Sequence, residues 1–591
     1  MRKIACCILL LLLFNPDTYA ANHYFTGLPI TSDGWTDFDT LTDTGYSTAR
    51  VIFVADDGND GTAQIYGIGD VTFDSNGIFQ APVGVAPYLT ITAAYAQVRD
   101  GYPDILLLKR GDTWTEAFAT GSIGRWNNSG PSSTVRQILA SYGSSGDRPL
   151  LNIGIYSGWQ TEGTPDANNV IISGIQFYAH LWESSTEGRC VNLLGTSEEI
   201  LFEDCVFNRN TNLVQGYPEG SRHTNIAFRR CQFIEGKSGE LTAFTLGGYG
   251  VDGLLIEENL FYKPVEGNRH LYLDNGLNNA TPNTLIRGNI MYVSQRSGIS
   301  ARAGGSIEKN LIVQNDLVLV GQHGSTLEGG IISGIIRDNV FLESVEIAGN
   351  TDGDGEWGLW LKNNDGSLIS DNIWTDPTGM DAGGGFAIYI SGGDTVHVGK
   401  NLTVQNNIVY GRSTAAGASQ AIRWESDLTD TSGCVFSGND IQMVNGSDYI
   451  IRHASGSITA GITYSNNRYY SSETESTWFA PGGDLSGWVS ASGETGASNT
   501  QVTYTDATRT LKTYNQSLGG TATTAAFMTS ALGQARYNWD TDLTAYAAIN
   551  YIRAGFDKTA IAAEWQDVRP ARSVGTGPSA TIGTGPGFTL Q

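Results

Sequence analysis

Apolar and polar residues alternate along eleven short segments between residues 171 and 468, and each segment carries a small or turn-forming position in its middle. The segments read IISGIQF, LFEDCVF, AFRRCQF, LIEENLF, LIRGNIM, SIEKNLI, IIRDNVF, LISDNIW, TVQNNIV, VFSGNDI and ITYSNNR. Period-two alternation is typical of β-strands. A repeat of roughly 30 residues is typical of a solenoid, whose units bury their apolar faces by stacking on one another. The pattern therefore predicts strands that stack coil upon coil.

An equivalent asparagine occurs in the last eight of these segments, at the fifth position in seven of them and at the sixth in ITYSNNR. Its backbone tolerates left-handed geometry, and its amide can bond to the equivalent amide one coil away. We therefore expect a ladder at one turn of the coil, formed by Asn259, Asn289, Asn310, Asn339, Asn372, Asn407, Asn439 and Asn467. The predicted fold is all-β: a right-handed parallel β-helix, or solenoid, with an Asn ladder, an N-terminal cap and a small helical C-terminal flank.

Each coil also contains a second alternating strand, as in His270–Asp274, Gly298–Arg302 and Gly358–Lys362. Its aliphatic residues are expected to point inward, so the residues between them point outward. One exterior face is thereby predicted to carry His270, Tyr272, Asp274, Arg302, Trp360, Lys362, Tyr389, Arg423 and Glu425, with His323 close by. Aromatic rings pack on sugar rings and cations pair with carboxylate or sulfate, so this face suits an extended anionic polysaccharide.

Charge supports the same class of partner. The formal net charge of −25 argues against nucleic acid. Residues 222–309 differ from the rest, with ten Lys or Arg against eight Asp or Glu and a local balance of +2. A basic patch on an acidic protein is what an anionic polymer would bind. Lys237 and Arg296, which lie in this segment, therefore join the candidate substrate-binding residues.

The chain divides into five predicted parts. Residues 1–20 have a basic start, an apolar run and a small residue at Ala20, which indicates a signal peptide and a secreted protein, extracellular or periplasmic. Residues 21–165 are expected to form an N-terminal β region and cap, with a short helix from Ile91, and residues 166–470 the β-helix domain. Residues 471–572 form a C-terminal flank with helices near 523–534 and 543–554, and residues 573–591 a flexible tail. We expect a monomer that contacts no membrane.

Cysteines and acidic runs carry weaker signals. Cys205 and Cys231 take equivalent positions in adjacent coils, where they stack either as buried free thiols or as a disulfide. The runs 56–60 and 352–356 are rich in Asp and Gly and are read either as exposed turns or as calcium sites, although neither has EF-hand spacing. The sequence requires no cofactor, since no zinc-site spacing or phosphate-binding loop is present.

The ladder segments resemble those of the pectate-lyase-like superfamily of parallel β-helix polysaccharide enzymes. Within it, Gly298-Ile299-Ser300-Ala301-Arg302-Ala303-Gly304-Gly305 is similar to a strand of the alginate lyase and chondroitinase B family. That resemblance implies an exterior arginine acting beside a lysine from the preceding coil. This chain offers His270, Tyr272 and Asp274 in that preceding coil, but no clear lysine. The paired-Asp motifs of the polygalacturonase family are absent.

We therefore expect a secreted polysaccharide lyase that cleaves a uronate-containing polymer, of the alginate or glycosaminoglycan class, by β-elimination. Arg302 is assigned to neutralise the uronate carboxylate, with Arg296 in support. His270 is the predicted base, because an unperturbed imidazole pKa near 6.5 suits that role. Tyr272 is the predicted acid. The residues Asp274, His323, Trp360, Lys362, Tyr389, Arg423 and Lys237 are predicted to bind substrate.

Two alternatives stay open at this stage. A glycoside hydrolase on the same fold needs two suitably spaced carboxylates. Asp274 is one candidate. The other aligned carboxylate, Glu425, lies several coils away, and a loop residue such as Glu240 could supply the second. A non-catalytic glycan-binding or surface module would use the same groove without turnover.

Overall fold

The structure of the protein is a computed structural model. It describes residues 21–115, 125–154, 157–161, 167–178, 189–193, 196–209, 212–216, 223–235, 244–246, 251–263, 270–273, 284–293, 298–301, 304–314, 317–320, 333–342, 357–376, 386–392, 397–411, 420–444, 449–458 and 460–565. The predicted signal peptide, the tail and the acidic run 352–356 lie outside these residues.

Three long parallel sheets form the walls of a β-helix, which confirms the predicted fold class. Sheet 1 contains Val51–Val54, Ile105–Lys109, Gln137–Tyr142, Asn168–Ser173, Glu198–Glu203, His223–Arg229, Val251–Glu257, Thr284–Arg287, Gly305–Glu308, Gly334–Arg337, Leu368–Ser370, Thr403–Gln405, Cys434–Ser437 and Ile462–Ser465. Sheet 2 contains Thr113–Trp114, Leu150–Asn152, Gln176–Tyr178, Val206–Asn208, Gln232–Ile234, Leu260–Tyr262, Ile290–Tyr292, Leu311–Val313, Val340–Leu342, Ile373–Thr375, Ile408–Tyr410, Asp440–Met443 and Arg468–Ser471. Sheet 3 contains Ser157–Thr161, Arg189–Leu193, Asn212–Gly216, Phe244–Leu246, Leu271–Leu273, Ile299–Ala301, Leu317–Val320, Trp357–Lys362, Phe386–Ser391, Gln420–Trp424, Tyr449–His453 and Phe479–Ala480.

Short elements complete the described chain. The remaining strands are Ala21–Asn22, Pro29–Ile30, Ile65–Tyr66, Thr72–Phe73, Phe79–Gln80, Asn364–Asp365 and Gly399–Lys400. The α-helices are Phe38–Thr42, Ile91–Tyr95, Leu485–Ser492, Leu511–Ser517, Thr524–Leu532 and Ala545–Gly555, and the 3₁₀ turns are Ile68–Asp70, Glu475–Thr477, Arg536–Asn538 and Thr541–Leu543. The parallel stacking of sheet 1 begins at Val51. The β-helix therefore starts within residues 21–165, the predicted N-terminal region, and before residue 166, where the sequence pattern places its start. Within the described residues, every helix is too short or too polar to cross a lipid bilayer.

The interior is filled by one apolar residue stacked on the next. Phenylalanine rings form a continuous pile in sheet 2, with centroids 5.6 Å apart from Phe177 to Phe207, 5.0 Å from Phe207 to Phe233 and 4.6 Å from Phe233 to Phe261. The predicted inward residues of sheet 3 are all buried: Leu271, Leu273, Ile299, Ala301, Leu359, Leu361, Ile388 and Ile390. Because every coil buries its residues only against its neighbours, the core depends on coils staying in register.

The predicted asparagine ladder lies at the corner between sheets 1 and 2. Each side chain donates from Nδ2 to the Oδ1 of the next asparagine at 2.9–3.0 Å, from Asn259 through to Asn467. The same Oδ1 also accepts the backbone amide of the preceding asparagine. At the far end Glu494 closes the ladder by accepting from Asn467 at 2.8 Å, while Tyr469 and Trp488 bond its second oxygen. Each buried amide is thereby satisfied.

One detail of the ladder prediction is wrong. The left-handed residue is not the asparagine but the residue before it, since positive φ is found at Asp204, Arg230, Glu258, Gly288, Lys309, Asp338, Asp371, Asn406, Gly438 and Asn466. The turn is made one position earlier, which aims the asparagine side chain inward along the stack. Cys205 and Cys231 take the same inward position in earlier coils, and all four described cysteines are buried free thiols rather than a disulfide.

A second ladder, of alternating charge, runs along the last position of the sheet 1 strands. Successive partners in register are Glu203, Arg229, Glu257, Arg287, Glu308 and Arg337. Glu257 is fully buried and accepts from Arg229 at 2.8 Å, from Arg287 at 2.5 Å and from His23 at 2.9 Å. Each of the four inner charges therefore has an opposite charge one coil above and one coil below it, which compensates buried ions.

The two ends of the chain meet over this charge ladder and form what we call the clasp. The guanidinium of Arg230 lies 4.2 Å from the ring of Trp35, 4.8 Å from that of Trp539 and 5.1 Å from that of Trp565. Glu258 accepts from Arg230 at 2.7 Å and from the Trp565 indole at 3.0 Å. The N-terminal segment and the C-terminal helices are thus fixed to the same coil of the β-helix. The N-terminal segment packs on sheet 1 and the C-terminal helices pack on sheet 2, so that sheet 3 is the wall that neither of them covers in these two clusters.

Candidate functional site

A row of aromatic and cationic side chains follows the outward face of sheet 3. Trp360, Tyr389, Arg423 and Arg452 are direct register partners in four successive coils, and Lys362 lies two residues after Trp360 on the same face. We call these five residues the strip. Neighbouring coils are about 4.8 Å apart, so side chains from four distant parts of the sequence form one continuous surface.

The strip is held together by ring and cation contacts. The rings of Trp360 and Tyr389 are 5.8 Å apart, and the Lys362 ammonium lies 5.4 Å from the Trp360 ring. The Trp360 indole donates to the Ser391 hydroxyl at 2.7 Å, which fixes its orientation. A fixed aromatic ring beside a cation offers one flat apolar surface and one positive charge to the same ligand.

Arg423, Tyr389 and Glu425 form a polar cluster in the middle of the strip. Glu425 Oε2 accepts from Arg423 at 2.8 Å and from the Tyr389 hydroxyl at 3.1 Å. Burial pushes the pKa of Glu425 up, but the Ser426 amide and the Arg423 charge outweigh it and hold that pKa below its usual value. Burial, and then the Glu425 charge, raise the pKa of Tyr389. At neutral pH the cluster is therefore a protonated phenol and a carboxylate bridged by a cation.

Beyond the cluster, a histidine and an aspartate meet over a glycine. His397 Nδ1 is 3.7 Å from Asp427 Oδ2, and Asp427 Oδ1 accepts the amide of Gly392 at 3.1 Å. Gly392 directly follows the strand that carries Tyr389, and Asp427 is two residues after Glu425. No sequence pattern indicated this pair, because both residues lie in turns where period-two alternation does not operate.

His270 was predicted to face outward, and that orientation is wrong. Its side chain is buried, Nε2 lies 3.2 Å from the carbonyl oxygen of Tyr292, and its ring is 5.8 Å from the core ring of Phe261. His270 precedes the strand Leu271–Leu273 at a bend, so strand alternation does not set its direction. Burial lowers its pKa to about 3.

The other predicted site residues divide into two groups. Trp360, Lys362, Tyr389 and Arg423 are brought together in the strip, although Lys362 is more covered than predicted at 6% exposure. Arg302, Asp274, Arg296, His323 and Lys237 lie outside the described residues, and of Tyr272 the structure describes the backbone, which is in the same register column as Trp360. Their roles stay predictions.

The basic segment 222–309 does not present its described arginines as an open basic surface. Arg229, Arg230 and Arg287 are buried and paired with Glu257 or Glu258 in the charge ladder and the clasp. Local net charge failed as a guide here because the compensating carboxylates come from neighbouring coils and face the same way.

The chain is a parallel β-helix protein. No family model and no curated protein matches it. Solved structures that resemble it include a mannuronic acid specific polysaccharide family 6 lyase from human gut microbiota, with 13% identity, a TM-score of 0.41 and coverage of 65% of this chain and 83% of that one. Another is the Azotobacter vinelandii mannuronan C-5 epimerase A-module, with 13% identity, a TM-score of 0.35 and coverage of 70% and 95%.

A third resemblance is to the GH136 lacto-N-biosidase from Eubacterium ramulus, at 13% identity and a TM-score of 0.34. The match covers 76% of this chain and 66% of that one, so the chain spans about two thirds of its length. A fold does not determine an activity, so the assignment of a reaction must come from the residues of the site.

Acidic residues at the N-terminal end form one group that could hold a cation. Ligand oxygens of Asp56, Asp57 and Asp112 lie within 4.8 Å of one another, and Asp112 was not part of the predicted run. Lys109 already donates to Asp57 at 3.0 Å, and Asp60 is turned away to accept from Thr90. The lysine pairs with one of the three carboxylates, and a calcium ion at this group stays a prediction.

The burial of His270 predicts an acid-sensitive stability. Its pKa is about 3 when folded and near 6.5 when unfolded, so the unfolded chain binds the proton more readily between those values. Stability contributed by neutral His270 is complete above pH 6.5 and falls as the pH drops, by about 2 kcal/mol at pH 5. In urea unfolding at pH 7.5 and 5.0, His270→Gln should lose about that much less than the parent protein. Equal losses would contradict the assignment.

Proposed function

We propose that the protein is an exported polysaccharide lyase that binds an anionic, uronate-containing polysaccharide along the strip and cleaves it by β-elimination. The observation that carries the proposal is the register column Trp360, Tyr389, Arg423 and Arg452, with Lys362 beside it. An extended polymer that runs parallel to the β-helix axis would meet one of these side chains at each coil.

The chemistry of the strip fits alternating apolar faces and negative charges. Trp360 and Tyr389 offer rings on which sugar rings pack, and the cations pair with carboxylates. Arg423 and Arg452 stand in register in adjacent coils, so their like charges repel unless an anion lies between them. Among the described residues Arg423 pairs with Glu425, while the Arg452 guanidinium lies 5.5 Å from the Tyr449 ring with no carboxylate at ion-pair distance. A polymer carboxylate would supply the missing negative charge.

β-Elimination needs a cation to neutralise the uronate carboxylate, a base to remove the C5 proton and an acid to protonate the leaving O4. Arg423 and Lys362 can provide the cation. Tyr389 can provide the acid, because burial and Glu425 keep its phenol protonated and Arg423 stands ready to stabilise the phenolate. His270 is enclosed in the core and does not reach the outward face, so the base is another group. Arg302 and Tyr272 remain predicted contributors further along the same face.

A hydrolase on the same strip is less well supported. It requires one carboxyl group with a raised pKa that donates a proton to the glycosidic oxygen. Among the described residues, the carboxylate bonded to the strip is that of Glu425. Its pKa is lowered by Ser426 and Arg423, which outweigh the effect of burial. It suits the orientation of Tyr389 and Arg423 better than it suits acid catalysis.

The test uses purified protein on alginate, chondroitin sulfate, dermatan sulfate, hyaluronan, heparin and polygalacturonate, with ultraviolet absorbance and reducing ends followed together. Both signals should rise on one polymer class, because β-elimination creates a double bond as well as a new end. Reducing ends without ultraviolet absorbance would replace the lyase by a hydrolase. Binding without either signal would leave a glycan-binding module. Comparing Arg423→Ala with Arg302→Ala would show which part of the face carries the reaction.

Removing one aromatic platform should weaken binding without unfolding the protein. Trp360→Ala is expected to raise the dissociation constant for the responsive polymer about 10-fold, or about 1.4 kcal/mol, because one sugar loses its stacking surface. Affinity electrophoresis or calorimetry measures the change. Tyr537→Ala is the matched control, since Tyr537 is an exposed aromatic outside the strip, stacked on Arg110. Equal weakening in both variants would refute the role of Trp360.

A further inference from the structure

Backbone hydrogen bonds hold the turns that carry His397 and Asp427, unlike the flexible side chains of an ordinary surface ion pair. The amide of Gly392 holds Asp427 Oδ1 at 3.1 Å, and the carbonyl of His397 accepts the amide of Thr429 at 2.9 Å. Both turns are thereby fixed to each other. A methyl group placed on Gly392 would lie 2.6 Å from His397 Nδ1 and 2.9 Å from Asp427 Oδ2, so the pair occupies the space that a side chain would take.

The orientation of the His397 imidazole leaves Nε2 free of the contact that Nδ1 makes with Asp427. His397 Nδ1 is shielded from solvent and faces Asp427, while the side chain as a whole is 36% exposed. The exposed part of the ring therefore lies away from the aspartate. The Nδ1–Oδ2 separation of 3.7 Å is longer than a hydrogen bond, as is common in sites that tighten when substrate binds. An aspartate that holds Nδ1–H leaves Nε2 as a proton acceptor.

The pair lies next to the polar cluster of the strip. Asp427 follows Glu425 by two residues, and Gly392 follows Tyr389 by three. The backbone amide of Glu425 donates to the Ile390 carbonyl at 2.9 Å, which fixes the two chain segments side by side. The charge of Asp427 contributes, after burial and Glu425, to raising the pKa of Tyr389. The two groups are therefore electrostatically connected.

We propose that His397 is the base of the reaction and that Asp427 is its positioning residue. This assignment rests on the proposed lyase function and supplies the group that His270 does not. His397 Nε2 takes the C5 proton, the C5–H electron pair forms the C4=C5 double bond, and the C4–O4 bond breaks with its electrons on O4. Tyr389 gives its phenolic proton to O4. The imidazolium then loses its proton to water and the phenolate regains one, so no oxidant or further reactant is needed.

Other charges beside this turn do not compete for the imidazole. Lys400 lies 3.6 Å from Asp365 and 3.6 Å from Asp430, so both of these carboxylates have the lysine as their ion-pair partner. Asp430 is thus a useful control, since it is in the same loop as Asp427 and has a different partner.

The experiment measures kcat, KM and polymer affinity on the polymer that the parent protein cleaves. His397→Gln should lower kcat at least 100-fold with little change in affinity. Asp427→Asn should lower kcat less and leave KM unchanged, and Asp427→Glu, which restores a carboxylate, should recover part of the loss. Gly392→Ala, which displaces the pair while keeping both groups, should reduce kcat as well. Asp430→Asn should match the parent protein.

The outcomes separate this inference from the function on which it rests. Full turnover by His397→Gln, with the parent protein active, overturns the base assignment and leaves the lyase standing. Loss of affinity in parallel with kcat shows a binding role and also overturns it. A parent protein that neither binds nor cleaves any polymer overturns the proposed function, and the assignment fails with it.

Discussion

Replacing Asn339 with alanine should lower the free energy of unfolding by about 3–5 kcal/mol. Asn339 is in the middle of the ladder, where Oδ1 accepts the backbone amide and the side chain of Asn310, both at 3.0 Å. Its own Nδ2 donates to the Ile307 carbonyl and to Asn372, both at 2.9 Å. Alanine removes these four bonds and leaves partners buried without water. Urea or thermal unfolding of the purified variant measures the loss.

Two further variants make this result specific. Asn499→Ala removes an exposed asparagine whose amide bonds Glu475 at 3.2 Å, and it should change stability by less than about 0.5 kcal/mol. Asn339→Cys places in the ladder the residue type that Cys231 and Cys205 provide four and five coils earlier, and it should lose less stability than Asn339→Ala. If Asn339→Ala were as stable as Asn499→Ala, the ladder would not contribute to stability in the way its bonds imply.

The second large effect is expected at Glu257. Its carboxylate is fully buried and is shared by Arg229, Arg287 and His23. Burial alone would raise the pKa of Glu257, but Arg287, His23 and Arg229 lower it well below the usual value, so it is charged in the folded protein. Glu257→Gln keeps the shape but leaves two arginines short of a counter-charge. The free energy of unfolding should fall by about 3–5 kcal/mol, measured by chemical denaturation at neutral pH.

An exposed ion pair provides the comparison for Glu257. Asp57 accepts from Lys109 at 3.0 Å, and both side chains are more than a third exposed. Asp57→Asn should therefore cost less than about 1 kcal/mol, and added salt should reduce even that difference. Salt should hardly affect the loss in Glu257→Gln, because its partners are shielded from solvent. Similar losses in the two variants would show that the charge ladder is no stronger than a surface pair.

The alternation of apolar and polar residues correctly predicted which strand residues point into the core and which point outward. Alternation placed Leu359 and Ile388 inside and Trp360 and Tyr389 outside, because a strand has no other way to orient successive residues. The prediction failed at His270, which lies at a bend where the direction of a side chain depends on the coil above it. His397 and Asp427 are a different case. Stacking brings together two turns about 30 residues apart, and a single sequence contains no local signal for that contact.

Local net charge predicted a basic surface, and the described arginines do not form one. The segment 222–309 is locally basic, yet Arg229 and Arg287 face Glu257 one coil away instead of solvent. Net charge counts residues along the chain, whereas a solenoid pairs them across it. In the strip, by contrast, the register brings two cations together, since Arg423 and Arg452 are neighbours across the sheet although they are 29 residues apart in the sequence.

The clasp sets the order in which the molecule can be completed. Arg536 donates to the carbonyl of Thr36 at 2.7 Å across 500 residues of chain. The segment around Thr36 therefore cannot make this contact until the segment around Arg536 has been synthesised. Closing so long a loop costs only modestly more entropy than closing a short one. Once closed, the clasp fixes both covering segments to middle coils of the array, and the protein is expected to resist proteases until it unravels as a whole.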